Sequence, residues 1–234
     1  MANKFFVTII MILVSFWSSA QCPSGVKFSN QAQVDYFAVA YPNCTTIYGD
    51  LILDPYASGP ISNLNSLKKI TTITGNLILT QHSVNMGNFD GLENLTKVGG
   101  NLYINDTWVT SISGLKNLSY VGGDIDISSN HIGDFSPLNN LTYIGGSLVL
   151  SNDDYDYSKS GLILKLTNIP GDFSYFLDSP SAPSLNPIAS VKTIGGDFNM
   201  SDGKIINLEG LNSLESVGGT LSISNSYSLT SLEG

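Results

Sequence analysis

Apolar positions along this chain fall into a block that recurs eight times. Glycines at 49, 75, 100, 123, 146, 171, 196 and 219 serve as anchors, separated by 26, 25, 23, 23, 25, 25 and 23 residues. Two residues before the anchor stand Ile47, Ile73, Val98, Val121, Ile144, Ile169, Ile194 and Val217, β-branched every time. Two after it stand Leu51, Leu77, Leu102, Ile125, Leu148, Phe173, Phe198 and Leu221. Four after it stand Leu53, Leu79, Ile104, Ile127, Leu150, Tyr175, Met200 and Ile223, with a more variable position between that is polar in half of the repeats. Period two is that of a short strand with one buried face. A single strand of this length cannot bury that face alone, so the repeat predicts strands stacked into one continuous parallel sheet.

Upstream of the anchor the apolar spacing changes to three, as in Phe89, Leu92, Leu95, Val98 and again in Ile112, Leu115, Leu118, Val121. This spacing is compatible with a helical turn and with a second, irregular strand, and the sequence leaves both open. The glycine pairs before the strand predict a tight turn, through positive φ or through close approach of neighbouring coils. The residue after the anchor is usually Asp, Asn, Ser or Thr. Such a column fits Asx-type bonds to local backbone better than a ladder of calcium sites. Length varies only in the connections after each strand: 54–63, 80–88, 105–111, 128–134, 151–159, 176–184 and 201–207. Stacking in register predicts that these loops line one edge, where ligands are commonly met.

The ends read differently. Lys4, the apolar run Phe5 to Trp17 and the small residues Ser18-Ser19-Ala20 predict a signal peptide over 1–20, cleaved to leave Gln21. A run of thirteen residues is too short to span a bilayer about 30 Å thick as a helix. Gln21 before Cys22 departs from a lipid-attachment signal, which wants Gly or Ala there. Residues 21–43 are expected to cap the array. Ser29 or Asn30 heads a helix with Val34, Phe37, Ala38 and Tyr41 at i, i+3, i+4, i+7, and Pro42 stops it. Cys22 and Cys44 are the two cysteines of an exported chain, consistent with a disulfide pinning that helix. The repeat solenoid then runs over 44–234. It is expected to be truncated mid-repeat, because Leu232-Glu233-Gly234 copies Leu208-Glu209-Gly210.

Composition narrows the chemistry. Ten lysines and arginines against nineteen acids give a formal charge of −9, a surface that repels phosphate backbones and anionic membranes. Nucleic-acid binding is therefore not expected. No nucleophile elbow, phosphate-binding loop, HExxH or CxxC is present, and two cysteines with two distant histidines make no zinc site. No cofactor, metal or catalytic residue is expected. The strongest candidates for ligand contact are Asp153, Asp154, Tyr155, Asp156 and Tyr157 in one long edge loop, with Trp108 in another. Carboxylates beside aromatics suit a sugar or a cation. Sequons at Asn43, Asn94, Asn105, Asn117, Asn140 and Asn199 would be glycosylated in a eukaryotic secretory pathway.

The run Gly-Leu-x-x-Leu-x-x-Val-Gly-Gly-x-Leu-x-Ile, at Gly91 to Ile104 and Gly210 to Ile223, resembles the receptor L-domain family, relatives of the leucine-rich repeats. It also resembles repeat arrays of bacterial secreted surface proteins. The resemblance covers about 44–234 and implies a mainly β fold, a right-handed parallel β-solenoid of about eight coils. The cysteine-rich module, transmembrane helix and kinase of the animal receptors are not in this sequence, so receptor signalling is not implied. The regular asparagine column of ordinary leucine-rich repeats is missing too. Together these readings predict a secreted or cell-surface, non-enzymatic module that recognises an extracellular protein or glycan. A structural surface array and a carbohydrate-active β-helix enzyme are the alternatives.

Overall fold

The computed structural model describes residues 21–54, 60–80, 87–107, 109–151, 162–176, 185–201 and 205–234. The expected signal peptide, 1–20, lies outside them. The fold is mainly β, a parallel β-solenoid. Among the described residues nine strands form one parallel sheet in strict chain order: β1 (Val26–Phe28), β2 (Leu51–Leu53), β3 (Leu77–Thr80), β4 (Leu102–Asn105), β5 (Ile125–Ser128), β6 (Leu148–Ser151), β7 (Phe173–Phe176), β8 (Phe198–Ser201) and β9 (Leu221–Ser224). Eight are the strands the repeat predicts. The ninth, β1, lies outside the predicted repeat. Its Val26 and Phe28 pair with Leu51 and Leu53 one coil later.

Register is homologous throughout. Leu77 lies beside Leu102 and Leu79 beside Ile104, and the same correspondence holds at every later step. The inward rows are therefore continuous stacks of mainly Leu, Ile and Phe. From Leu51 through Met200 these side chains are almost wholly buried. Each fully buried Leu, Ile or Phe contributes roughly 1.5–3 kcal/mol relative to exposure, and no coil could collect that without a neighbour.

The upstream half of the coil contains both structures that the spacing of three allowed. Short 3-10 turns occupy Asn65–Leu67, Ser113–Leu115, Ser136–Asn140 and Asn186–Ile188. Two-residue strands then precede each anchor and build a second parallel ladder. Five of them run from Thr46–Ile47 to Tyr143–Ile144, and three more from Asn168–Ile169 to Ser216–Val217.

Pro170 explains the interruption. In other coils the residue at its position donates its N–H to the preceding coil, as Gly145 N does to Val121 O at 3.0 Å. Proline has no N–H to give. The next bond is stretched as well, Gly171 N to Gly146 O at 3.2 Å against 2.8 Å for Gly100 N to Gly75 O.

The polar residue after each anchor does not bond its own local backbone, the arrangement its sequence pattern favours. Its side-chain oxygen accepts instead from the N–H of the equivalent residue one coil on. Asp50 accepts from Asn76 at 2.7 Å, Asn76 from Asn101 at 2.7 Å, Asn101 from Asp124 at 2.8 Å and Asp124 from Ser147 at 2.8 Å. Ser147, Asp172 and Asp197 continue the series to Thr220. These seven rungs give the column its composition, because only a short side chain with an acceptor oxygen reaches the next coil.

The ladder also accounts for the anchor glycines from Gly75 onward, whereas Gly49 takes a positive φ of 128°. Gly123 does not have a positive φ; a Cβ on it would stand 2.0 Å from Asn101 Oδ1. Gly122, just before it, would place a Cβ 2.0 Å from the Gly99 carbonyl oxygen. Close approach between coils is therefore what excludes a side chain there.

At the N-terminal end, the helix Gln31–Ala40 is capped by Asn30, whose Oδ1 accepts from Gln33 N at 3.0 Å. Val34 and Phe37 are its buried residues, while Ala38 is exposed and Tyr41 half-buried. Phe37 meets Phe28 edge-on at 5.9 Å. Gln31 Oε1 accepts from Ser62 N at 2.8 Å, tying the helix to the following coil. Cys22 and Cys44 form the disulfide, with Cα atoms 5.4 Å apart.

Candidate recognition surface

The solenoid offers two broad faces and one loop edge. On the outward face of the main sheet, one row runs Ile52, Ile78, Tyr103, Asp126, Val149, Ser174 and Asn199, half-buried except for the buried Ser174. Burial pushes the Tyr103 phenol above its ordinary value, and the carboxylates of Asp124 and Asp126 push it further. Beside it Asn105 Nδ2 donates to Asp126 Oδ2 at 3.0 Å. The other oxygens of that pair, Asn105 Oδ1 and Asp126 Oδ1, are buried without a hydrogen-bond partner. Unpaired buried acceptors cost about 1–3 kcal/mol each.

The second face carries the short ladder and the 3-10 turns. It has an order of its own, set by the coil register. Three residues before the anchor come Thr46, Thr72, Lys97, Tyr120, Tyr143, Asn168, Thr193 and Ser216. Lys97 Nζ lies 4.6 Å from the centroid of the Tyr120 ring. The Tyr120 and Tyr143 rings stack at 4.5 Å with planes 6° apart, and Tyr143 is 47% exposed. Cation–π contact and ring stacking hold the three side chains in line.

One residue further back, hydroxyls form another row. Thr96 Oγ1 donates to Thr71 O at 3.1 Å, Ser119 to Thr96 O at 3.2 Å and Thr142 to Ser119 O at 3.1 Å. Two residues beyond, Asn94, Asn117 and Asn140 each donate Nδ2 to a carbonyl of the preceding coil, at 2.8, 2.6 and 2.7 Å. Three of the sequons thus recur because their Asn and their Thr or Ser both serve coil stacking. Glu93 sits in the adjoining row. Its partial burial works to raise the carboxyl, but the N–H groups of Gly91 and Glu93, helped by Lys68 and Lys116, hold it below its ordinary value.

The loop edge is described only in part. Trp108, Asp153, Asp154, Tyr155, Asp156 and Tyr157 all lie outside the described residues. The connection 105–111, described apart from Trp108, is tied to the next connection, 128–134, by Asn130, which is 1% exposed. Its Nδ2 donates to Ile104 O at 2.6 Å and to Ser128 O at 2.8 Å, and its Oδ1 accepts from Thr107 Oγ1 at 2.5 Å. The corner before it takes positive φ at Asp106 (57°) and Ser129 (54°). Sequence reasoning missed Asn130 and the lysine–tyrosine column alike. A row-by-row reading of outward positions, rather than of the apolar ones, would have found the column.

Among the described residues no group of three or more His, Cys, Asp or Glu side chains is placed to hold a metal ion. No helix among them is long and apolar enough to cross a membrane.

A stacked parallel solenoid with an N-terminal helix and disulfide is the class this architecture defines. Within it, residues 43–113, the first three of the eight repeats and the start of the fourth, match the family model of the receptor L domain. That match supports the kinship expected from the glycine–leucine motif over this part of the chain. No curated protein and no solved structure matches the chain.

Proposed function

We propose that this chain is an extracellular, non-enzymatic recognition module that binds a protein or a glycan. The match of residues 43–113 to the receptor L domain, a ligand-binding family, carries the reading. A rigid face supports it: each coil is fixed to the next by backbone pairing, a side-chain ladder and a continuous core, so a surface on it is pre-organised and costs little to order on binding. The Cys22–Cys44 disulfide fits an oxidising compartment, as does export through the segment 1–20. Ligand contact falls on the sheet face and on the edge loops, where Trp108 and the stretch Asp153 to Tyr157 supply aromatic and acidic groups.

The test has two arms. Expression of the full reading frame in a secretion-competent host should give a secreted chain beginning at Gln21. The folded product, displayed on glycan and extracellular-protein arrays, should bind a discrete set of ligands. Binding should fall when Trp108 or the Asp153–Tyr157 stretch is replaced. A folded protein that binds nothing on either array would overturn the recognition reading.

A further inference from the structure

Charge is distributed unevenly over this molecule. Seven lysines lie among the described residues: Lys27, Lys68, Lys69, Lys97, Lys116, Lys165 and Lys192. All but Lys27 fall three to seven residues before an anchor, on the face of 3-10 turns and short strands, and all six are exposed. Over the coils anchored at 75 to 171, that stretch holds five lysines and one carboxylate, Glu93. This is a surplus of four positive charges in a chain whose formal charge is −9. In the last coil Glu215 pairs with Lys192 at 3.0 Å, so the surplus is confined to the middle of the array.

The rest of the face is suited to sugar. Rows of Thr and Ser hydroxyls and Asn amides recur at each coil, a step of about 4.8 Å in a parallel stack. A pyranose advances its polymer by about as much as one coil advances the solenoid. Lys165 Nζ reaches Asn140 Oδ1 at 3.2 Å and Lys97 lies over Tyr120, so two of the ammonium groups are already positioned along the rows. Tyr143 ends the aromatic column where Pro170 interrupts the ladder, and its ring is not covered by a further aromatic among the described residues. An extended peptide would need an open strand edge to bond. The short strands pair with one another along this face except at the break between Tyr143–Ile144 and Asn168–Ile169, so no continuous open edge runs along it.

We propose that this face binds a linear acidic polysaccharide lying along the solenoid axis. Its uronate or sulfate groups meet Lys97, Lys116 and Lys165, and one sugar ring lies on Tyr143. The inference deepens the recognition reading above and rests on it, while placing the ligand on a face different from the loop edge.

Titration calorimetry on the full secreted chain tests it, with polygalacturonate, heparin, neutral dextran and poly-glutamate as probes. At least one of the two acidic polysaccharides should bind, more weakly as salt rises; binding of polygalacturonate shows that uronate suffices, and binding of heparin alone, which carries both groups, shows that sulfate is required. Dextran should not bind. Lys97→Ala with Lys116→Ala should weaken binding about tenfold or more, Tyr143→Ala should weaken it several-fold, and Lys27→Ala should leave it unchanged. These side chains are exposed, and equal melting temperatures would establish that the variants fold. The proposal fails if neither acidic polysaccharide binds the folded protein, or if the double variant binds as well as the parent. It fails too if poly-glutamate binds equally well, which would make the partner an acidic protein. An array ligand whose binding survives the double variant would keep the recognition reading while removing this one.

Discussion

Replacing Gly123 by Ala offers a sharp test of the ladder. The new Cβ would stand 2.0 Å from Asn101 Oδ1 and 3.3 Å from the Gly100 carbonyl carbon. The first contact is impossible, so the Asn101 side chain must swing away and give up the N–H of Asp124, now 2.8 Å from it. An orphaned, partly buried N–H costs about 1–3 kcal/mol, and crowding at Gly100 adds about 1 kcal/mol. The expected loss is about 2–4 kcal/mol. Asn101→Ala alone forfeits the same hydrogen bond and should cost about 1–3 kcal/mol. The double variant loses that bond only once, so it should be about as stable as Gly123→Ala alone and more stable than the sum of the singles by about 1–3 kcal/mol.

Urea unfolding followed by circular dichroism measures each term, provided the denaturant slope is constant across the set. Amide exchange at Asp124 should accelerate in both singles. Gly122→Ala is the control. Its Cβ would meet the Gly99 carbonyl oxygen at 2.0 Å, a backbone atom that no side-chain deletion moves. It should cost more than Gly123→Ala, and Asn101→Ala should not rescue it. Additive singles at 101 and 123, or a Gly123→Ala protein as stable as the parent, would refute the argument.

Three further outcomes are expected. Asn130→Ala should destabilise by about 2–4 kcal/mol, since it strands the carbonyls of Ile104 and Ser128 and the Thr107 hydroxyl; thermal melts would register the loss, and an unchanged melt would contradict it. Cys22→Ser with Cys44→Ser removes a link between residues 22 positions apart, worth about 3 kcal/mol on the loop-entropy scale, and unfolding with and without reductant measures it. Glu93 has a carboxyl held below its ordinary 4.5 in the folded chain. Its contribution is therefore present above that value and lost as pH falls through the lower folded value. Glu93→Gln should flatten the decline of stability below about pH 4.5, read from melting temperatures across an acid series.

The inward half of this fold was legible in the sequence because it is written in residues with few substitutes. Positions such as Val98, Leu102 and Ile104 must be apolar in every coil, so they show through the variation around them. β1 was hidden because the coil it belongs to has lost its landmarks: Ser24 stands at the anchor place and Cys22 where an Ile or Val belongs. The step of 25 residues from Val26 and Phe28 to Leu51 and Leu53 was the remaining signal. The polar column after the anchor was visible, but its bonding was not. Local and inter-coil bonds ask for the same short acceptor side chains, and only the stacking distance decides between them. Outward positions such as Lys97, Tyr120 and Tyr143 carry no recurring residue type, so the face they make emerges only once the coils are in register.

The seven-rung ladder has one more consequence. Every rung joins a residue to its own counterpart, with the acceptor on the earlier coil and the donor on the later one. Excising a whole coil, for instance the 23 residues from one anchor to the next between Gly100 and Gly123, brings together an acceptor and a donor that were already of the right kind. The array can therefore lengthen or shorten by copying or dropping entire units, and its reach can evolve independently of the bonding that holds it together.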